Sequence, residues 1–213
     1  MKLLMSILLV LFLTGLVGPG GAMACTGVPD LDFSIVWKTF EGLCSLVITP
    51  EGTGAPLTQA RTPDGTIVDA TIHLTLNSNC ITTEPVANFP AEDMWLESTT
   101  NGVNFCLGGN LPDGPTDIEG NTQWSQPLLG GGWDDVDCRV VVNGLVTPAG
   151  NTLNLIINSP DSNGDGEINI VDVYEFAQDF FGPYRFRADL AFDGVINLSD
   201  LSILGASLGQ SCP

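Results

Sequence analysis

A twelve-residue, acid-rich loop occurs twice near the C-terminus, and nothing else in the sequence restricts the fold so tightly. The first copy, DSNGDGEINIVD, runs from Asp161 to Asp172, and the second, DLAFDGVINLSD, from Asp189 to Asp200. In the first copy side-chain oxygens fall at the first, third, fifth, ninth and twelfth places (Asp161, Asn163, Asp165, Asn169 and Asp172), with Gly166 sixth. Alternate residues of a tight turn aim their oxygens at one centre, and glycine permits the sharp bend after the first three. A set of hard oxygens suits calcium, which takes about six to eight of them. Glu167, in seventh place, offers its backbone carbonyl. Ile168 is eighth, where an apolar side chain can pair the two loops. The second copy keeps Asp189, Asp193, Gly194, Asn197 and Asp200 but has Ala191 third, without an oxygen. The second site is therefore expected to bind more weakly or to take a water there. Loop aspartates that converge without a cation repel one another, so the unit is expected to fold only with calcium.

Each loop runs into a helical pattern. Ile170, Val173, Phe176, Ala177 and Phe180 recur at helical spacing until Gly182-Pro183, and Leu198, Leu201, Leu204 and Leu208 do so until Gly205 or Gly209. These faces are expected to form a small core against each other. The duplicated pattern D-x-N-x-D-G-x-x-N-x-x-D, with Asp rather than Glu in twelfth place, resembles a type I dockerin over about residues 159–210. That resemblance implies an EF-hand-like helical domain with two calcium sites. It implies the ligands Asp161, Asn163, Asp165, Glu167 (through its carbonyl), Asn169 and Asp172, and, in the second copy, Asp189, Asp193, Val195 (carbonyl), Asn197 and Asp200. It also implies a cohesin-like protein partner. In dockerins the tenth and eleventh places carry a Ser-Thr pair that contacts cohesin; here they hold Ile170-Val171 and Leu198-Ser199. The known cohesin specificity therefore does not carry over. The apolar pair either meets a different partner surface or packs on the N-terminal domain, and the residues do not choose.

Residues 25–158 read as β. Short apolar or β-branched runs at 34–37, 44–48, 93–97, 122–125, 138–142 and 152–157 join a long alternating run at 66–76, in which Ile72, Leu74 and Leu76 share one face and Thr71, His73 and Thr75 the other. Gly, Pro, Asn and Asp clusters punctuate them, which argues for an antiparallel β-sandwich. Pro63-Asp64-Gly65 ahead of the long run, and Thr116-Asp117 followed by Gly120-Asn121-Thr122-Gln123-Trp124, give this stretch a resemblance to bacterial Ig-like surface domains of the invasin type. That resemblance implies an Ig-like module and no activity. The composition changes at Ser159-Pro160. The expected organisation is a leader at 1–24, an Ig-like β-sandwich at 25–158 and a dockerin-like domain at 159–213, mainly β overall.

The leader reads as a signal peptide: Lys2, an apolar run from Leu3 to Val17, a Gly-Pro-Gly-Gly break, and a small-x-small site at Ala22-Met23-Ala24, with cleavage after Ala24. The alternative is a lipoprotein acylated at Cys25. Either way the chain is exported, secreted or held at the cell surface of a bacterium. Six cysteines, an even number, then remain, and in an exported chain this argues for disulfides. Six cysteines allow 15 pairings and the sequence does not choose among them; Cys80 with Cys106, each closing a strand-like run in one region, is the pair expected if one is named. Six Lys and Arg against 25 Asp and Glu give a net charge of −19, which excludes nucleic acid and anionic membranes as partners. A content of 44% apolar residues argues against disorder.

No catalytic constellation emerges. His73 is the only histidine and has no nucleophile or metal-ligand spacing around it. Trp133-Asp134-Asp135-Val136-Asp137 reads as a solvated acidic turn rather than the carboxylate pair of a glycoside hydrolase. Trp95, Trp124 and Trp133 read as sandwich core rather than as a sugar-stacking platform. The expectation is a non-enzymatic, calcium-binding protein that docks or displays in an extracellular assembly, linked through the dockerin resemblance to polysaccharide catabolism. The rivals are an accessory carbohydrate-binding protein or small glycoside hydrolase, with the sandwich holding sugar, and a purely structural surface protein.

Overall fold

The computed structural model describes residues 27–79, 83–100, 102–148 and 153–213. The expected leader and its cleavage point, Cys25 and Cys80 lie outside the described residues. In chain order the strands are β1 (Ile35–Lys38), β2 (Cys44–Val47), β3 (Ala60–Arg61), β4 (Ile67–Val68), β5 (Ile72–Thr75), β6 (Asn77–Asn79) and β7 (Thr83–Pro85). They continue with β8 (Met94–Ser98), β9 (Val103–Phe105), β10 (Asn121–Trp124), β11 (Gly130–Gly132), β12 (Cys138–Val142), β13 (Leu145–Val146) and β14 (Leu155–Asn158). Two helices follow, α1 (Ile170–Phe180) and α2 (Leu198–Ser207). Among the described residues the chain is mainly β, with both α-helices in the C-terminal segment.

The strands form small sheets: β1-β5-β10, β13-β12-β8, β14-β2-β3-β4, and the pairs β11-β9 and β6-β7. Among the described residues all the strand pairings but one are antiparallel. The exception corrects the all-antiparallel expectation: β14 runs parallel to β2, with Leu155 opposite Cys44 and Asn158 opposite Val47. A parallel pair needs a long crossover, and the hundred-odd residues between these strands provide one. The run at 66–76 is also two strands rather than one. Asp69 accepts hydrogen bonds from the Thr71 amide (2.9 Å) and hydroxyl (2.6 Å), a local turn that breaks the ladder between β4 and β5.

Alternation sets the main core. Ile72, Leu74 and Leu76 are fully buried, as are Leu46, Leu96, Met94, Leu155 and Trp124, in one apolar cluster drawn wholly from residues 36–157. A second, smaller cluster holds Ile168, Phe176, Ala188, Leu190 and Leu204, with Val173, Phe180, Ile196 and Ile203 against it. The two clusters are stapled together. Cys106, just after β9, is disulfide-bonded to Cys212, so the expected Cys80–Cys106 pair does not form. The partner lies 106 residues away, beyond any local strand signal. Cys44 and Cys138 are buried free thiols.

Candidate functional site

Both acidic loops are closed by their first and last aspartates. Asp161 and Asp172 in the first loop, and Asp189 and Asp200 in the second, have no solvent exposure. Asp161 Oδ1 accepts from the Gly164 and Asp165 amides (2.9 and 3.2 Å) and Oδ2 from the Gly166 amide (2.8 Å). Asp189 repeats the scheme, accepting from the Asp193 amide at 3.1 Å and the Gly194 amide at 2.9 Å. Gly166 (φ 85°) and Gly194 (φ 81°) adopt the left-handed backbone that the sharp bend requires. In fourth place Gly164 is matched by Phe192, left-handed at φ 50° despite its side chain.

The ninth and twelfth residues serve the loop and the helix together. Asn169 accepts from the Val171 amide (2.8 Å) and Asp172 accepts back from the Asn169 amide (2.9 Å), a capping box that starts α1. Asn197 and Asp200 do the same for α2, at 2.7 and 2.8 Å. Asp172 and Asp200 also reach back to the loop starts, taking the Ser162 amide (2.9 Å) and the Ala191 amide (2.8 Å). The remaining donors are at the surface: Asn163 and Asp165 are joined by an amide–carboxylate bond of 3.0 Å, and Asp193 accepts from the Val195 amide at 3.0 Å.

Electrostatics fit a cation in the first loop. Burial, with Asp172 and Asp165 adding repulsion, pushes the Asp161 carboxyl up to about 6. Asp200 is likewise raised, first by burial and then by Asp189 and Asp193. Each carboxylate oxygen has two lone pairs; Asp161 Oδ1 already accepts two amides, whereas Oδ2 accepts one and keeps capacity for a metal. Among the described residues no group of three His, Cys, Asp or Glu side chains is gathered tightly enough to hold a metal alone. A cation here would depend on the asparagine and carbonyl oxygens as well, which is the mixed oxygen set calcium accepts.

Sequence reasoning missed what surrounds the loops. Strand β11 is all glycine, and a Cβ on Gly131 would lie 1.8 Å from Asp161 Oδ2. The Gly132 amide donates to the Asp161 carbonyl (2.6 Å) and Asn104 Nδ2, on β9, to the Gly164 carbonyl (2.8 Å). The first loop thus rests directly on a sheet. The C-terminal tail covers its other side: the Cys212 amide donates to the Gly166 carbonyl (2.9 Å) and the Ile168 amide to the Gln210 carbonyl (2.9 Å). Ile168 is buried, but its backbone pairs with this tail. Asn158, fully buried at the end of β14, donates to the carbonyls of Phe186 (2.7 Å) and Asp189 (3.1 Å). In the second loop Ala191 and Phe192 are buried, and Phe192 packs edge-on against Phe186. Burial there favours an apolar residue over the missing ligand. The Tyr184 hydroxyl donates to Asp189 Oδ2 (2.9 Å), placing another oxygen at that loop.

The helices depart from the expected faces. Phe176 and Leu204 point inward, but Ile170 is 76% exposed and Leu198 70%, with Val171, Tyr174, Leu201 and Leu208 also largely open. Packing of Ile170 and Leu198 on the β region is thereby excluded. The rival sites fare differently. Trp124 is fully buried, its Nε1 donating to the Asn110 carbonyl (2.9 Å), and Trp133 packs edge-on against Phe186, so Trp95, Trp124 and Trp133 form no shared platform. The acidic turn is not simply solvated: Asp134 is buried and accepts from the Ser98 hydroxyl and the Val136 amide, while Asp137 accepts from the Leu155 amide (2.9 Å). Both carboxylates hold structure. Among the described residues no helix is long and apolar enough to cross a membrane. No family model matches the chain, and comparison with curated proteins and with solved structures finds no match.

Proposed function

We propose that this is an exported, non-catalytic protein whose C-terminal segment is a dockerin-like calcium module, joined to an Ig-like β-sandwich, that docks the chain onto a protein partner in an extracellular or surface assembly. The observation that carries the calcium reading is the repetition of one hydrogen-bond scheme around two pairs of fully buried aspartates. Calcium would supply the positive charge that these carboxylates lack, held in the first loop by Asp161, Asn163, Asp165, the Glu167 carbonyl, Asn169 and Asp172. In the second loop Asp189, Asp193, the Val195 carbonyl, Asn197 and Asp200 would hold it more weakly, for want of an oxygen at Ala191. The docking reading is supported by the apolar residues left open at the starts of both helices, Ile170, Val171, Leu198 and Leu201. Polysaccharide breakdown is the setting in which such a module would serve.

Isothermal calorimetry of calcium binding to the full chain tests the metal reading. One stronger and one weaker event are expected, the stronger lost in Asp165→Ala; no heat with the unmodified chain would sink it. Pull-down with and without EGTA, beside Ile170→Asp/Leu198→Asp, tests docking. A partner lost both on chelation and in the double variant supports it, and a partner indifferent to both refutes it.

A further inference from the structure

The sheet β1-β5-β10 turns one face to the core and leaves the other unclaimed. Val36, Leu74, Ile72 and Trp124 fill the inward face. On the outward face Phe33, Ile35 and Trp37 alternate along the first strand and its approach, 43, 57 and 49% exposed. Strand register sets polar partners beside them: Trp37, His73 and Gln123 form one cross-strand row, and Ile35, Thr75 and Asn121 the next. Rows on one face are spaced by roughly 6.5–7 Å.

The Trp37 ring is held in place. His73 stacks on it at 3.9 Å with only 17° between planes, and the Thr39 hydroxyl lies 3.1 Å from His73 Nε2. Burial lowers the His73 pKa, so the imidazole is neutral at neutral pH. An open cleft of about 510 Å³ runs along this face, and its lining includes Asp113 and Asp117 but no lysine or arginine. Asp113 is engaged with the Ser125 hydroxyl (2.6 Å) and amide (3.1 Å) and with Gln123 Nε2 (3.3 Å), and Asp117 with the Asn121 amide (2.8 Å), so both brace the wall, and the Gln123 side-chain oxygen is left without a bond among the described residues. The Thr75 hydroxyl donates to Asn121 Oδ1 (2.7 Å), which leaves the Asn121 Nδ2 group without a bond among the described residues.

We infer that this cleft binds an uncharged oligosaccharide chain, stacked on Trp37 and hydrogen-bonded by Asn121 and Gln123. A fixed aromatic plane recognises a ligand with a flat apolar face. The amide and hydroxyl groups beside it suit a ligand rich in hydroxyls, since a few placed polar groups orient a ligand in such a cleft. Two carboxylates without a cation turn away phosphates, nucleic acids and acidic glycans. With His73 stacked flat on one face of Trp37, and no other Trp, Tyr or Phe among the residues lining the cleft, the indole is a platform rather than the cage that a quaternary ammonium fills. The inference stands independently of the calcium loops.

The test is titration of the full, calcium-loaded chain with cellohexaose, xylohexaose, mannohexaose and laminarihexaose, followed by the His73 ring signals in NMR. Polygalacturonate oligomers and choline serve as controls. The lone histidine reports on the cleft in the unmodified protein. At least one neutral hexasaccharide is expected to shift the His73 signals, with binding weakened tenfold or more in Trp37→Ala and several-fold in Gln123→Ala, and unchanged in Trp95→Ala on β8. Silence from all four neutral sugars, a response only to choline or the acidic oligomers, or a folded Trp37→Ala that binds like the parent would each overturn the proposal. If Trp37→Ala fails to fold, the His73 signals of the parent and the Gln123→Ala comparison decide.

Discussion

Adding one methyl group at Gly131 tests whether the β region and the first acidic loop form a single device. A Cβ there would sit 1.8 Å from Asp161 Oδ2 and 2.4 Å from its Cγ. Gly131 is not among the left-handed glycines, so alanine meets no backbone penalty there and the whole effect is steric. To bring that contact from 1.8 Å to the 3.4 Å of ordinary van der Waals distance, the carboxylate must retreat by roughly 1.6 Å. Metal–ligand distances tolerate only about 0.2 Å, so a retreat of that size removes Asp161 from any metal centre. It also disturbs the bonds to the Gly164, Asp165 and Gly166 amides, each worth about 1.5–3 kcal/mol to a charged acceptor. Overpacking of this kind usually costs about 1–3 kcal/mol. Gly131→Ala is therefore expected to lose about 2 kcal/mol of stability in urea melts and at least tenfold in calcium affinity by calorimetry, about 1.4 kcal/mol. Gly205→Ala is the control, since its Cβ meets open space within α2 and should stabilise by about 0.5–1 kcal/mol without touching calcium binding. A Gly131→Ala protein that melts and binds calcium like the parent would refute the coupling.

Reduction of Cys106–Cys212 opens a loop of 106 residues and is expected to cost about 2–5 kcal/mol, read by denaturant melts with and without reductant. Because the tail residue Cys212 donates to Gly166, calcium affinity should fall in the same experiment; an unchanged affinity would show that the tail is incidental. Asn158→Ala removes one of two hydrogen bonds at each of the Phe186 and Asp189 carbonyls, which keep the Asp189 (3.0 Å) and Phe192 (3.3 Å) amides, and the two lost bonds should cost about 1–3 kcal/mol, with hydrogen exchange rising first around the second loop. Arg187→Met leaves the nearly buried Asp179 without its partner at 2.5 Å and should destabilise by up to about 3–5 kcal/mol, less the screening at its partly open side. His73 should titrate below its ordinary value of 6.5, because burial disfavours the imidazolium and Asp69 only partly opposes it. Its contribution to stability is then present above pH 6.5 and is lost as the pH falls through the folded value; an NMR midpoint at or above 6.5 contradicts this.

The acidic loops and the starts of their helices were legible from the sequence because the side-chain bonds that close the loops and cap the helices are local. Asp161 reaches its amide partners within five residues, and Asn169 with Asp172, like Asn197 with Asp200, sets each helix start within three. Strand β12 follows from its β-branched run and the inward face of β5 from alternation. Glycine strand β11 carried no such signal, since a residue without a side chain announces neither strand nor contact, yet its bareness is what lets Asp161 approach. The parallel β14–β2 pair, the Cys106–Cys212 staple and the open faces of Ile170 and Leu198 depend on segments distant in sequence. Periodicity marked both helix faces as apolar, but only the packed structure decided which side was covered. Local hydrogen bonding is written in spacing, whereas burial depends on which distant surface arrives.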